Sequence, residues 1–243
     1  MTTLEILRLL IFPKTVYVSE DRKLSVVDRI EDGEAVRIFY SDKTRESGVY
    51  LEKHKRKYPL FKYMVMLKDI CRKYSGLHKA LMIGGGGLVF AEVFLGIDKK
   101  NSMTAVEMDN RCIDVADRFF GIKESDRLEI KCMAGESYIS QIAEYNLRVS
   151  DNKKILYDFI LYDAYVGDRI ARGLVTENML KMTKMIMKPD GIIAMNVIND
   201  AGGTVKMQTY ITQKFLQGIF KYTSLTMCEN RGNSILLASD RML

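Results

Sequence analysis

The chain has 243 residues, 47% of them hydrophobic, and its 37 Lys and Arg against 31 Asp and Glu give a formal charge of +6. That is enough apolar material for one sizeable core with a small appendage, and no apolar run approaches the roughly 20 residues that span a bilayer. Ile6 to Phe12, interrupted by Arg8, is too short for a signal peptide, so a cytoplasmic location without a membrane partner is expected.

The first segments alternate apolar and polar residues. Thr15–Val18, Leu24–Val27 and Ala35–Phe39, separated by the turn-forming Ser19-Glu-Asp-Arg22 and Glu31-Asp-Gly33, predict a small antiparallel β-subdomain over residues 1–55. Lys53-His-Lys-Arg-Lys57 reads as a solvated connector, and the other basic residues are dispersed, which disfavours a nucleic-acid partner. From Tyr58 apolar residues recur at helical spacing through Met64, Leu67 and Ile70. Strands are then expected near 79–83, 102–106, 127–132, 156–162 and 191–197, with helices near 88–96, 110–119, 136–146, 174–187 and 203–217. Ser224–Cys228 and Ser234–Ala238 end the chain as a hairpin with one antiparallel strand. This alternation over residues 56–243 predicts an α/β fold, a doubly wound, mainly parallel, seven-stranded Rossmann-like sheet. Cys71, Cys112, Cys132 and Cys228 lack paired spacing and read as buried apolar residues; with two histidines in the chain, no metal site is expected. Met179, Met182, Met185 and Met187 read as core packing on one helix.

Gly84, Gly85, Gly86 and Gly87 follow the apolar run Ala80–Ile83, and Glu107 stands about 20 residues further on at the tip of the next strand. Glycines at a strand end let backbone approach a ligand, and an acid at that spacing accepts hydrogen bonds from ribose hydroxyls. Val89 stands where a dinucleotide fingerprint has its third glycine, and no Lys followed by Ser or Thr follows the turn. A nucleoside without phosphates is therefore expected, rather than a dinucleotide or a triphosphate. Asp163 emerges at the tip of the buried strand Ile155–Tyr162, where it would bind a cationic group or accept a proton from an attacking amine; the alternative is that it caps the loop or the next helix.

The stretch Tyr157-Asp-Phe-Ile-Leu-Tyr-Asp-Ala-Tyr-Val-Gly-Asp168, followed by Gly173–Leu180 and Met187–Ile193, resembles the spermidine synthase family, in a divergent branch of the class I methyltransferase-like fold with an Asp-Ala-aromatic loop. Ile83–Gly87 and Val106-Glu-Met-Asp109 are similar to its glycine motif and acidic strand end, and Lys43–Gly48 falls where the family has a glutamine-containing loop. The resemblance implies aminopropyl transfer from decarboxylated S-adenosylmethionine to a small-molecule amine. Gly84 to Gly87, Glu107, Met108, Asp163 and Ala164 would hold the donor, either Ala134 or Glu136 the adenine, and Glu46, Tyr63 and Asp168 the acceptor, with Asp163 catalytic. It also implies a homodimer through the amino-terminal sheet. The chain departs from the family pattern in four places. Val166 stands where a second aspartate is usual, Glu46 replaces the glutamine, Met64 replaces a histidine after the pocket tyrosine, and the adenine contact falls on either Ala134 or Glu136.

Three readings follow. An aminopropyltransferase requires Glu46, Asp163 and Asp168, the available carboxylates, to converge beside the glycine turn. A methyltransferase using intact S-adenosylmethionine requires a cation for the donor's carboxylate, Arg45 or Lys43. A nucleoside-binding protein without turnover requires Tyr165, Arg169 and Met64 to fill the acceptor space.

Overall fold

The structure is a computed structural model that describes residues 8–167 and 169–243. It contains two main β-sheets. The first is an antiparallel meander of β1 (Lys14–Val18), β2 (Leu24–Glu31), β3 (Glu34–Ser41) and β4 (Thr44–Tyr50) in sequential order. Asp32 and Gly33, at φ +50° and +79°, close the β2–β3 hairpin with the left-handed pair such tight turns need. Leu24, Val26, Phe39 and Val49 bury one face against Met64 and Leu67 of α1 (Lys62–Lys73). Each large apolar side chain fully buried in this way contributes roughly 1.5–3 kcal/mol. Arg37 extends the same face. Its guanidinium donates to both oxygens of Asp28, at 2.7 and 2.8 Å, and to the carbonyl of Phe119 at 3.1 Å.

The second sheet is formed by β5 (Lys79–Gly84), β6 (Ser102–Glu107), β7 (Leu128–Cys132), β8 (Tyr157–Asp163), β11 (Met187–Ile198), β12 (Tyr222–Met227) and β13 (Asn233–Ser239), in the order β12-β13-β11-β8-β5-β6-β7. β5, β6, β7, β8 and β11 are parallel, and β13 pairs antiparallel with both β11 and β12. A two-residue hairpin, β9 (Tyr165–Val166) with β10 (Arg169–Ile170), follows β8 directly. Successive strand residues go to opposite faces. Ala80, Met82, Phe159 and Leu161 pack under α2 (Val89–Leu95) and α3 (Asn110–Val115), whereas Leu81, Ile83, Ile160 and Tyr162 pack under α4 (Gly135–Arg148), α5 (Glu177–Met185) and α6 (Met207–Ile219). Burial on both faces explains why these strands read as unbroken apolar runs.

The fold is the doubly wound sheet with its terminal hairpin and antiparallel amino-terminal sheet, as expected, with corrections in detail. Lys43–Gly48 is not a loop: from Thr44 it is β4, whose Ser47 is fully buried and reads as a turn residue in sequence. The first core helix starts at Lys62, not Tyr58, and Leu88 is a left-handed residue (φ +55°) before α2. α3 widens into a π-helical turn at Ala116–Phe120, and α6 begins at Met207 rather than 203. Met187 opens β11 instead of continuing the α5 helix, since Pro189 cannot extend one; Met185 is exposed, leaving Met179 and Met182 as the packing residues. Cys132 is exposed, because it ends β7 at the sheet edge, whereas the other three cysteines are buried.

β5 and β8 are neighbours across the point where strand order reverses, and Gly84 lies in register with Asp163 there. A Cβ on Gly84 (φ +78°) would sit 2.5 Å from the Asp163 carbonyl oxygen and 2.7 Å from the Ala164 Cα, whereas one on Gly121 (φ +72°) would meet nothing within 4 Å. Gly121→Ala is therefore expected to cost about 1–2 kcal/mol in urea unfolding, the strain of a left-handed alanine alone, and Gly84→Ala clearly more. Equal losses would show that the two backbones can separate without penalty.

Candidate functional site

The site lies at the carboxyl ends of β5, β6 and β8, where folds of this class bind ligands. The glycine turn is held from both sides. Below, the Gly85 N–H donates to the Asp163 carbonyl at 2.9 Å. Above, Ser47 Oγ of β4 donates to the Gly85 carbonyl at 3.1 Å and accepts from the Gly87 N–H at 3.0 Å. A Cβ on Gly86 or Gly87 would come within 2.9 Å of the Glu46 or Ser47 Cβ, so the glycines make room for β4 as well as for a ligand. Gly87 is committed to Ser47 and does not line the cavity.

Two cavities meet here. The first, about 630 Å³, is lined by Gly84, Gly85, Gly86, Glu107, Met108, Ala164 and the stretch Met133–Glu136. Both candidates for the adenine contact, Ala134 and Glu136, face it. The second, about 530 Å³, lies between the amino-terminal sheet, the start of α1 and the ends of β8 and β11, and is lined among others by Glu31, Asp32, Glu34, Arg45, Phe61 and Tyr63. Glu46, Asp163 and Tyr165 line both. Asp168 falls outside the described residues.

Asp163 is buried, and among the described residues it caps neither a loop nor a helix. Its Oδ2 accepts from Tyr63 Oη at 3.0 Å and its Oδ1 from Asn196 Nδ2 at 2.8 Å. Asn196 on β11 is itself fixed, taking a hydrogen bond from Asn233 Nδ2 at 2.9 Å on its side-chain oxygen and another from Tyr165 Oη on its carbonyl. Burial pushes the Asp163 carboxyl up, against the lowering effect of those two donors. Glu107 is also raised by burial, while the backbone N–H groups of Asp109, Met108 and Gly86 offset part of that. Glu46 has no such donors among the described residues. Burial, and then the charges of Asp163 and Glu107, push it up to about 7.

Ser47, Asn196, Asn233 and the carboxylates Glu31, Asp32 and Glu34 were not expected from sequence. The last three sit at the β2–β3 hairpin, which the fold brings over the second cavity, so its acidity is not confined to Glu46, Asp163 and Asp168. Of the three residues expected to fill an inactive acceptor space, Tyr165 lines the second cavity and the other two lie elsewhere. Met64 is fully buried in the core, and Arg169 lies at a separate cleft beside α6. Arg45 lines the second cavity, not the first, and Lys43 is exposed on the β3–β4 turn. Another cleft, beside Lys188, carries one buried carboxylate, Asp158, which is already bound to Lys188 and to the backbone N–H groups of His78 and Lys79. Among the described residues no group of three His, Cys, Asp or Glu side chains is placed to hold a metal ion, and no helix is long and apolar enough to cross a membrane.

Residues 60–229, more than two thirds of the chain, match the family model of the spermine/spermidine synthase domain. The chain belongs to that family. A polyamine aminopropyltransferase of Vibrio vulnificus (strain CMCP6) is 23% identical over 160 residues, 66% of this chain and 50% of that protein. An eEF1A lysine and N-terminal methyltransferase of Bos taurus is 28% identical over 105 residues, 41% of this chain and 14% of that one. The chain thus spans about half the length of the aminopropyltransferase it matches, and less of the methyltransferase. In three dimensions it is similar to a probable spermidine synthase of Corynebacterium glutamicum (TM-score 0.74, 14% identity, 95% of this chain and 81% of that one). It is also similar to a spermidine synthase in complex with the transition-state analogue AdoDATO (TM-score 0.66, 17% identity, 95% and 75%). The spermine/spermidine synthase match begins at residue 60, so Glu46 and Ser47 are contributed from outside the matched segment.

Because Glu46 binds its proton more tightly in the folded chain than at its ordinary value of 4.5, its contribution to stability is greatest below pH 4.5 and falls as the pH rises to about 7. Thermal melts from pH 4.5 to 8 are expected to show Glu46→Gln gaining on the parent protein across that window, with a shallower decline. Parallel curves would mean that Glu46 is not perturbed.

Proposed function

We propose that this protein transfers an aminopropyl group from decarboxylated S-adenosylmethionine to a small amine. The observation that carries the reading is the shared wall of the two cavities. Where a donor in one would meet an acceptor in the other stand two carboxylates, Glu46 and Asp163, with Tyr165. Decarboxylated S-adenosylmethionine brings a sulfonium and an ammonium to that wall, whereas the intact donor would also bring a carboxylate against two others.

The resemblance assigns the ribose to Glu107, which stands at the tip of β6 inside the first cavity, and the adenine to the wall formed by Met108 and Ala134 or Glu136. In the reaction, the acceptor nitrogen bonds to the carbon beside sulfur. The carbon–sulfur bond breaks with its electron pair going to sulfur, leaving a neutral thioether nucleoside, and the nitrogen's proton passes to a carboxylate. Asp163, aimed by Tyr63 and Asn196, holds the amine; Glu46, poised near neutrality, is available for the proton. Since the sulfonium is already an activated leaving group, alignment supplies much of the rate.

Methyl transfer is the second reading. It is supported by the likeness to the bovine methyltransferase and by Arg172, a cation lining the first cavity. Calorimetric titration with both donors separates the two. We expect the decarboxylated donor to bind at least about tenfold tighter, and Asp163→Asn to lower kcat with an amine acceptor by roughly a hundredfold or more, followed by mass spectrometry of the product. Tighter binding of the intact donor would transfer the assignment to methyl transfer. Because a bound dication favours ionised Glu46, donor binding at pH 7 is further expected to release protons, read from the dependence of the heat on buffer ionisation enthalpy. Glu46→Gln should suppress that release, and an unchanged release would place the titrating group elsewhere.

A further inference from the structure

The acceptor cavity contains a cation of its own. Arg45 Nη2 donates to Glu31 Oε2 at 2.7 Å, and its guanidinium carbon lies 5.0 Å from the centre of the Phe61 ring. Phe61 in turn lies 6.1 Å from Tyr63, whose hydroxyl donates to Asp163. Arg45, Phe61 and Tyr63 therefore form one row along the cavity wall, with the reacting carboxylate at one end and a guanidinium at the other. This guanidinium is chemically what a distal ammonium of a polyamine would be: a cation on a carboxylate, stacked on an aromatic face.

The charges around the cavity are unevenly committed. Glu31 is held by Arg45 on Oε2, while its Oε1 faces Arg29 Nε at 3.4 Å. Glu34 is held by Lys55, and Lys62, the other cation of the lining, is drawn outward to Glu229 at 2.8 Å. Glu46 and Asp163 have no cationic partner among the described residues, whereas Asp32 at the hairpin turn acts electrostatically on Lys62. Two uncommitted carboxylates thus stand at the reacting end, whereas on the far wall Glu31 is neutralised by Arg45 and the exposed Asp32 beside it acts on Lys62.

Building on the aminopropyl-transfer reading, we propose that Arg45 sets the length of the acceptor: by occupying Glu31 as a resident cation it admits a short diamine and excludes longer polycations. A triamine reaching the far wall would have to displace Arg45 from both Glu31 and Phe61 or leave its last ammonium against a guanidinium, and either costs binding.

The test is an affinity ladder, not turnover. A diamine, a triamine and a tetraamine are titrated calorimetrically into protein loaded with the thioether nucleoside, for the parent chain, Arg45→Gln, Arg45→Lys and the double variant Arg45→Gln/Glu31→Gln. Because the Arg45 side chain is partly exposed at the rim, these variants are expected to keep the parent's melting temperature. Arg45→Gln should raise triamine affinity by roughly tenfold or more while changing diamine affinity little, the scale of one charged hydrogen bond gained. Arg45→Lys should retain the exclusion, and adding Glu31→Gln should abolish the gain. If Arg45→Gln shifts all amines equally, or the gain survives Glu31→Gln, the role assigned to Arg45 is wrong while the acceptor cavity stands. If no variant binds any amine, although the nucleoside binds, the acceptor reading falls and the role of Arg45 with it.

Discussion

The contact on which everything else depends is the approach of two backbones at the point where strand order reverses. Gly84 at the end of β5 lies in register with Asp163 at the end of β8, too close for a side chain between them. That approach sets where the Asp163 carboxylate emerges, and the same glycine turn receives β4 from above through Ser47. The amino-terminal sheet is thereby locked to the main sheet at the very place where the two cavities meet. A ligand in either cavity consequently touches parts of both sheets.

Electrostatics supply the second constraint. Glu46, Glu107 and Asp163 are withdrawn from water around one turn, and the groups that satisfy them are neutral: backbone N–H groups for Glu107, Tyr63 and Asn196 for Asp163, and for Glu46 no hydrogen-bond donor among the described residues. Neutral donors orient a carboxylate without cancelling its charge. The protein thus bears a desolvation cost at these three carboxylates, one that the proposed cationic donor and acceptor would offset. Arg45 shows the opposite arrangement a short way along the wall, where the carboxylate of Glu31 is paired internally.

Much of the site was legible because strand ends and turns leave strong local marks. A glycine run after an apolar strand, an acid about 20 residues on and an acid at the tip of a second buried strand can be read without coordinates. What escaped notice was of two kinds. Asn196 lies inside β11 and Ser47 inside β4, among residues that read as ordinary strand, and each acquires its role only from the neighbour it meets across a sheet or a layer. Glu31, Asp32 and Glu34 read as turn-forming residues, which they are, and nothing in their spacing places that turn over a cavity.

The sequence by itself determined the order and type of the elements, the burial of the central strands on both faces and the glycine turn at a strand end, because periodicity and backbone permissiveness are local properties. Only the tertiary structure decided that Asp163 is held by Tyr63 and Asn196, that Cys132 faces solvent, that Met187 opens a strand and that Arg45 lines the second cavity. Each of those depends on which strands become neighbours and which hairpin folds over them. Pairing between segments a hundred residues apart, as between Tyr63 and Asp163, is fixed by packing of the whole chain and leaves no mark in the spacing of either segment.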